Sequence, residues 1–183
     1  MSRRMKLSSV SVMSIIHDSV VDGEGLRTVI FFSGCTHQCP GCHNPQSWNV
    51  HHGTWMSVDE VLGEVLRNPM TDVTLSGGDP FMQPASISCI ARGLKLFGKH
   101  IWAYTGYTME ELLTNGSADQ KQLLSYCDVL VDGPFKQQLR DVSLAFRGSS
   151  NQMIWQKVDG VWFPNPKYLP PYCNDNRTVT SLC

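Results

Sequence analysis

Hydrophobic and polar positions along the chain alternate between short strand-like runs and helical stripes. The run 26–32 (LRTVIFF) is rich in β-branched and aromatic residues and predicts a buried strand, and 10–16 predicts a weaker strand before it. From 57 to 67 apolar residues recur on one helical face behind a capping box of Ser57 and Glu60, which predicts a helix. The remaining pattern predicts strands at 72–76, 101–105 and 128–132, a helix at 84–97, helices opening at Thr108 and Ser117, and a hairpin of 151–158 and 161–163 about Asp159-Gly160.

This order of elements predicts an α/β fold with a mostly parallel sheet covered by helices. The units are too few for a closed eight-stranded barrel, so we expect an open, partial βα barrel. Residues 1–163 would form one domain, and 164–183, which hold four of the ten prolines, an irregular tail. Active sites in such sheets lie at the carboxyl ends of the strands. We therefore expect the loops 35–48 and 77–80, which each follow a strand, to meet on one face.

Charge and the N-terminal pattern exclude several classes of partner. Lys and Arg total 15 and Asp and Glu total 16, so the formal net charge is -1 and no strong positive field gathers nucleic acid or anionic membrane. Serines at positions 8, 9, 11 and 14 interrupt the first apolar run. A secretory signal and a membrane helix both need an uninterrupted apolar run, so neither is predicted here. We expect a soluble, cytoplasmic protein.

Three of the seven cysteines crowd into eight residues, at Cys35, Cys39 and Cys42. In a cytosolic chain such a group is typical of metal binding or redox chemistry rather than of disulfides. A closed zinc site takes four ligands, and so does a [4Fe–4S] cluster used only for electron transfer. Three cysteines without a nearby fourth indicate a cluster with one iron open to an exogenous ligand. The alternative is a zinc site completed by His37 or His43.

A second candidate loop follows the predicted strand at 72–76. Gly77 and Gly78 would let main-chain groups reach a ligand, and Asp79 could accept a hydrogen bond from a cationic amine. An amino acid moiety bound there would direct its carboxylate at the open iron. In the cysteine loop, Gly41 removes side-chain bulk, and His43 either contacts a ligand or bonds within the loop.

The motifs together resemble those of the radical S-adenosylmethionine superfamily. More narrowly, they are similar to those of the family of activating proteins of anaerobic ribonucleoside-triphosphate reductases. The cysteine spacing is typical of the superfamily, and the later motifs are typical of the narrower family. The resemblance covers about residues 15–156 and rests on Asp22-Gly23-Glu24-Gly25-x-Arg27, Phe32-Ser33-Gly34-Cys35, Cys39-Pro40-Gly41-Cys42, Leu75-Ser76-Gly77-Gly78-Asp79-Pro80, Trp102-x-Tyr104-Thr105-Gly106-Tyr107, Val131-Asp132-Gly133 and Arg147-Gly148-Ser149-Ser150-Asn151-Gln152.

Three further features of the sequence bear on the choice of family and on the role of one segment. Many superfamily members carry an aromatic residue where this chain has Gly41, whereas the Cys-Pro-Gly-Cys form is familiar in the reductase activators. Phe31-Phe32 and His43-Asn44 also resemble the activator of pyruvate formate-lyase, which is the second candidate. The segment 147–152 would either contact a partner or cofactor or form a simple turn.

The resemblance implies a [4Fe–4S] cluster that binds S-adenosylmethionine at its open iron and cleaves it reductively. The resulting radical would take a hydrogen from a glycine of the partner, the glycyl-radical subunit of an anaerobic ribonucleoside-triphosphate reductase. A flavodoxin-like or ferredoxin-like protein would supply the electron. Other possibilities are a radical enzyme of a small molecule and a non-catalytic zinc or iron–sulfur module. The resemblance assigns the metal ligands to Cys35, Cys39 and Cys42, and cofactor contacts to Gly41, Cys42, His43, Gly77, Gly78 and Asp79.

Overall fold

The protein is described by a computed structural model over residues 9–169, and the chain forms one eight-stranded sheet backed by helices. The strands follow one another across the sheet in the order β3-β1-β2-β4-β5-β6-β7-β8. The strands are β1 (Ser9–Ser19), β2 (Arg27–Phe32), β3 (Thr54–Ser57), β4 (Asp72–Gly77), β5 (Ile101–Tyr104), β6 (Val129–Asp132), β7 (Met153–Val158) and β8 (Val161–Pro164). The helices are α1 (Val58–Leu66), α2 (Pro84–Leu96), α3 (Met109–Thr114) and α4 (Ala118–Tyr126).

The prediction of an α/β fold is confirmed, but the prediction of a mostly parallel sheet is wrong. The central strands β2, β4, β5 and β6 are parallel to one another, whereas β1, β3, β7 and β8 make only antiparallel pairs. The reason lies in the connections, because parallel neighbours need a crossover of a dozen or more residues. The turn 20–26 between β1 and β2 is too short for a crossover. The turn at Asp159-Gly160 joins β7 to β8 with two residues of positive φ, as a tight hairpin requires.

Helix starts follow the predicted side-chain chemistry. In α1 the Ser57 hydroxyl accepts a hydrogen bond from the Glu60 amide, and the Glu60 carboxylate accepts from the Ser57 amide. The same reciprocal capping box opens α3 at Thr108 and α4 at Ser117. The strand β3, which directly precedes α1, was not predicted because its four residues, TWMS, show no alternation of apolar and polar residues.

The sheet separates two apolar clusters. Along β5, Ile101 and Ala103 belong to the larger cluster beneath the helices, while Trp102 between them joins a smaller cluster with Val131 and Ile154. Because alternate residues of a strand point to opposite faces, these clusters lie on opposite sides of the sheet. The helices thus cover one face, and the other is covered by loops.

The predicted irregular tail begins with an ordered turn. Pro166–Tyr168 forms a short 3-10 helix, and both Lys167 and Tyr168 hydrogen-bond the carboxylate of Glu24 in the β1–β2 turn. Residues 170–183 of that predicted tail lie outside the described part of the chain. In residues 9–169 no helix combines the length and the apolar character needed to cross a bilayer.

Candidate functional site

A cavity of about 510 Å³ lies beside the carboxyl ends of the parallel strands. Its volume is within the usual range for small-molecule sites. Both loops singled out in the sequence contribute to its wall, so the expectation that they meet on one face is confirmed. Of the predicted site residues, the wall contains Cys35, Cys39, Cys42, His43, Gly77 and Gly78.

Backbone hydrogen bonds join the cysteine loop to the glycine loop. β2 and β4 run side by side in parallel, with Phe32 opposite Gly77, so both loops leave the sheet at the same edge. The Gly78 amide donates to the Phe32 carbonyl at 2.7 Å, and the Asp79 amide donates to the Gly34 carbonyl at 2.9 Å. These bonds fix the spacing between the first cysteine and the wall opposite it.

The two glycines are required by this close approach of the chains. Gly77 has φ of +105°, and a Cβ there would lie 2.3 Å from the Phe32 amide nitrogen. A Cβ on Gly78 would lie 2.5 Å from the Gly34 carbonyl oxygen. Packing of β4 against β2 therefore suffices to explain both glycines, and it leaves their main chain on the cavity wall.

The three cysteine thiols are half-buried, and those of Cys35 and Cys42 receive backbone N–H groups. Burial raises the pKa of Cys35, and hydrogen bonds from the His37 and Gln38 amides oppose this increase. The Asn44 amide lies 3.4 Å from the Cys42 sulfur, to which it donates. Such donors favour thiolates, the form in which cysteine binds iron, and tune the potential of a bound cluster. Asn44 thus joins the site through its main chain.

Asp79 is buried and does not reach the cavity wall. Its carboxylate accepts hydrogen bonds from the Phe81 amide at 2.9 Å, the Thr105 hydroxyl at 2.9 Å and the Gly106 amide at 3.0 Å. Its fourth partner is the His37 Nε2, also at 3.0 Å. This hydrogen bond raises the pKa of His37. The structure thus surrounds Asp79 with donors from the protein itself.

Gly41 and His43 both lie next to the segment 133–152, which connects β6 to β7. Gly41 is exposed, with φ of +73°, and a Cβ there would lie 2.9 Å from the side chain of Gln137. The space beside Gly41 is therefore filled by this segment. His43 lines the cavity and packs its ring 5.0 Å from that of Phe135 in the same segment.

Several wall residues were not predicted as site residues. They include Tyr104 at the end of β5, Thr105 and Gly106 after it, and Phe135, Phe146 and Arg147 in the segment 133–152. The Arg147 guanidinium donates to the carbonyls of Gln152 and Tyr168 at 3.1 and 3.0 Å, and burial lowers its pKa. Tyr104, Thr105 and Gly106 belong to a quoted motif, and Arg147 begins the segment 147–152, for which the sequence left a partner or cofactor contact open. Phe135 and Phe146 belong to no such motif.

Comparison with known proteins places the chain in an iron–sulfur family. Residues 21–155 match the family described as the 4Fe-4S single cluster domain. Curated relatives carry the name anaerobic ribonucleoside-triphosphate reductase-activating protein. The protein of this name from Escherichia coli (strain K12) is 39% identical over 145 residues, covering 74% of this chain and 91% of the relative. The relative from Vibrio cholerae is 41% identical over 145 residues, covering 74% of this chain and 90% of the relative. The relative from Enterobacteria phage T4 is 36% identical over 149 residues, covering 78% of this chain and 91% of the relative.

The chain therefore belongs to the family of anaerobic ribonucleoside-triphosphate reductase-activating proteins. Among solved structures, the crystal structure of QueE from Escherichia coli matches with a TM-score of 0.48 and 16% identity, covering 58% of this chain and 57% of that chain. This likeness is too weak to define the fold.

Proposed function

We propose that this protein is the radical S-adenosylmethionine activase that installs a glycyl radical on an anaerobic ribonucleoside-triphosphate reductase. The observation that carries the proposal is the three-cysteine loop joined to the Gly77-Gly78 loop at one cavity, in a chain of the reductase-activating family. The reductase subunit is the proposed partner, and a flavodoxin-like or ferredoxin-like protein is the proposed electron donor.

The residues of the cavity suit a [4Fe–4S] cluster. Cys35, Cys39 and Cys42 share one wall, and backbone N–H groups near two of them favour thiolates. Across residues 9–169, no three His, Cys, Asp or Glu side chains are grouped so as to hold one metal ion. Cysteines that bind separate irons of a cluster do not need to converge on one point, whereas zinc ligands do. The arrangement therefore supports the cluster over a mononuclear zinc site.

The cavity also suits an organic cofactor beside that cluster. In this proposal Cys42 and His43 flank S-adenosylmethionine on one side, and the main chain of Gly77 and Gly78 holds its amino group on the other. The cluster and cofactor, when bound, supply one-electron reductive cleavage of a sulfonium and hence a hydrogen-abstracting radical. The protein contributes orientation and exclusion of water, which keep a reactive species from other hydrogen donors.

Aromatic side chains supply the water-excluding part of the wall. Phe135 and Phe146 lie on the segment 133–152, and Trp48 lies at the end of the cysteine loop. The β1–β2 turn contributes Val21, which is 73% exposed while it also lines the cavity. We propose that the sheet forms an open, partial βα barrel and that a glycine-bearing segment of the partner enters beside this turn, on the side that such a barrel leaves unclosed.

Anaerobic reconstitution with iron and sulfide tests the proposal. We expect a brown protein that cleaves S-adenosylmethionine after reduction, and a glycyl doublet in electron paramagnetic resonance only when the reductase subunit is added. Cys39→Ala should lose both cluster and cleavage, whereas Cys89→Ala, at an exposed position on α2, should retain both. Radical transfer to a small molecule without the reductase, or a centre unaffected by S-adenosylmethionine, would refute the proposal.

A further inference from the structure

The hydrogen bond between His37 and Asp79 joins the two loops through side chains. His37 lies between the first two cysteines of the loop, and Asp79 lies 42 residues further along the chain. The His37 side chain is 19% exposed, and that of Asp79 is 0% exposed. No other side-chain hydrogen bond of the described residues connects the segment 35–39 to a carboxylate.

Asp79 has no remaining capacity for a ligand. An ionised carboxylate offers about four acceptor positions. Here the donors are the Phe81 amide, the Thr105 hydroxyl, the Gly106 amide and His37. Since these four donors surround a fully buried group, a ligand amine could reach Asp79 only by displacing one of them.

The surroundings of His37 are built to hold its ring in one place. A Cβ on Gly106 would lie 2.4 Å from the His37 Cδ2, so the ring rests directly on the main chain of the β5 loop. The ring of Tyr107 meets it edge-on, with the centroids 4.6 Å apart. A hydrogen bond and two steric contacts therefore fix the part of the loop that lies between Cys35 and Cys39.

We propose that Asp79 and His37 act as positioning residues, which hold the cysteine loop in the geometry that binds the cluster. Asp79 acts through His37 and does not contact S-adenosylmethionine. This assignment rests on the proposed function, and it differs from the role of amine acceptor that the sequence suggested for Asp79.

Paired variants at position 37 separate hydrogen bonding from packing. His37→Phe keeps a ring against Gly106 and Tyr107 but removes the donor, whereas His37→Gln keeps an N–H donor. Hydrogen bonds to charged groups contribute enough to change an equilibrium by about 10-fold to 100-fold. We expect iron loss to a chelator to become about 10-fold faster or more in His37→Phe and Asp79→Asn. We also expect an altered spectrum of the reduced cluster before any S-adenosylmethionine is added.

Three further results complete the test. His37→Gln should restore most of the wild-type spectrum, and the double variant His37→Phe/Asp79→Asn should be no worse than the more affected single variant. The exposed residue His51 supplies the control, because His51→Gln should behave as wild type. If Asp79→Asn left the spectrum and iron retention unchanged but weakened S-adenosylmethionine binding, direct contact would replace positioning and the inference would be wrong.

A metal-free measurement keeps this test independent of the proposed function. In apo-protein, iodoacetamide labelling of Cys35, followed by mass spectrometry, reports how often the loop opens. His37→Phe should accelerate labelling about 10-fold or more, and His37→Gln should do so much less. Equal labelling rates in wild type and His37→Phe would overturn the inference. Failure of wild type to bind a cluster would instead count against the proposed function.

Discussion

A buried guanidinium beneath the cavity gives the sharpest stability prediction. Arg27 is 1% exposed and donates four hydrogen bonds. Its partners are the Thr74 hydroxyl at 2.7 Å and the carbonyls of Glu24, Val73 and His100 at 2.9, 2.5 and 3.0 Å. Among residues 9–169, no carboxylate forms an ion pair with it. Neutral acceptors, three main-chain carbonyls and one hydroxyl, thus stabilise this charge.

The balance of two opposing effects sets the expected loss in Arg27→Met. Burial, partly opposed by nearby acidic groups, lowers the pKa of Arg27 to about 10. This net shift corresponds to about 3 kcal/mol against the charged side chain, a cost that methionine does not carry. Each hydrogen bond from a charged donor contributes about 1.5–3 kcal/mol. Four bonds at the lower end of that range outweigh the desolvation, so we expect a net loss of about 3 kcal/mol. Methionine retains part of the packing against Trp102, over whose ring the guanidinium lies.

Urea unfolding of the metal-free protein measures this loss as a free energy, and thermal unfolding measures it as a melting temperature. At about 2–4 °C per kcal/mol for a chain of this size, the melting temperature of Arg27→Met should fall by about 6–12 °C. Arg67→Met is the matched control, because the Arg67 side chain is 75% exposed and its pairing with Glu64 contributes about 0.5 kcal/mol or less. If Arg27→Met were within about 0.5 kcal/mol of wild type, the hydrogen bonds would contribute no more than the desolvation costs, and the reasoning would be refuted.

Three further predictions concern the site and its supports. In anaerobic reconstitution, Cys39→Ala should retain less iron than Cys89→Ala, and equal iron contents would contradict the ligand assignment. Gly78→Ala should destabilise the protein by about 3 kcal/mol or more because its Cβ meets a carbonyl oxygen, whereas Gly63→Ala, in open space on α1, should stabilise it by about 0.5–1 kcal/mol in urea unfolding. Hydrogen bonds lower the pKa of Glu24. The largest effect comes from Lys167 and the next from Tyr168. Because the pKa of Glu24 is lower in the folded state, its stabilising effect is present above the unfolded pKa of about 4.5 and is lost as the pH falls. Glu24→Gln should therefore be less stable than wild type at pH 7 and equally stable in strong acid. A stability difference that does not change with pH would contradict this origin.

Short-range sequence patterns made parts of the fold and of the site predictable. Capping boxes at Ser57, Thr108 and Ser117 depend on residues three positions apart, and all three form as predicted. The meeting of the two loops followed from the rule that parallel strands end at one edge. Both predictions use short-range pattern or a general property of sheets, and neither needs the partner of an individual side chain.

The environment of Asp79 could not be predicted in the same way. Its hydrogen-bond partners include Thr105, which lies 26 residues later, and His37, which lies 42 residues earlier. A carboxylate after two glycines at a strand end is compatible with ligand binding and with internal bonding, and the sequence does not distinguish them. Only the packing of three loops shows that protein donors already surround this group.

The wrong prediction of a mostly parallel sheet has a direct bearing on the cavity. The antiparallel neighbours of the parallel core are joined to it by the β1–β2 turn and by the segment 133–152, and neither contains a covering helix. These two connections supply Val21, Phe135, Phe146 and Arg147 to the wall of the cavity. A further βα unit at either side would place a helix there instead. The antiparallel flanks thus leave the cavity bordered by loops, which a partner segment could pass more readily than a packed helix.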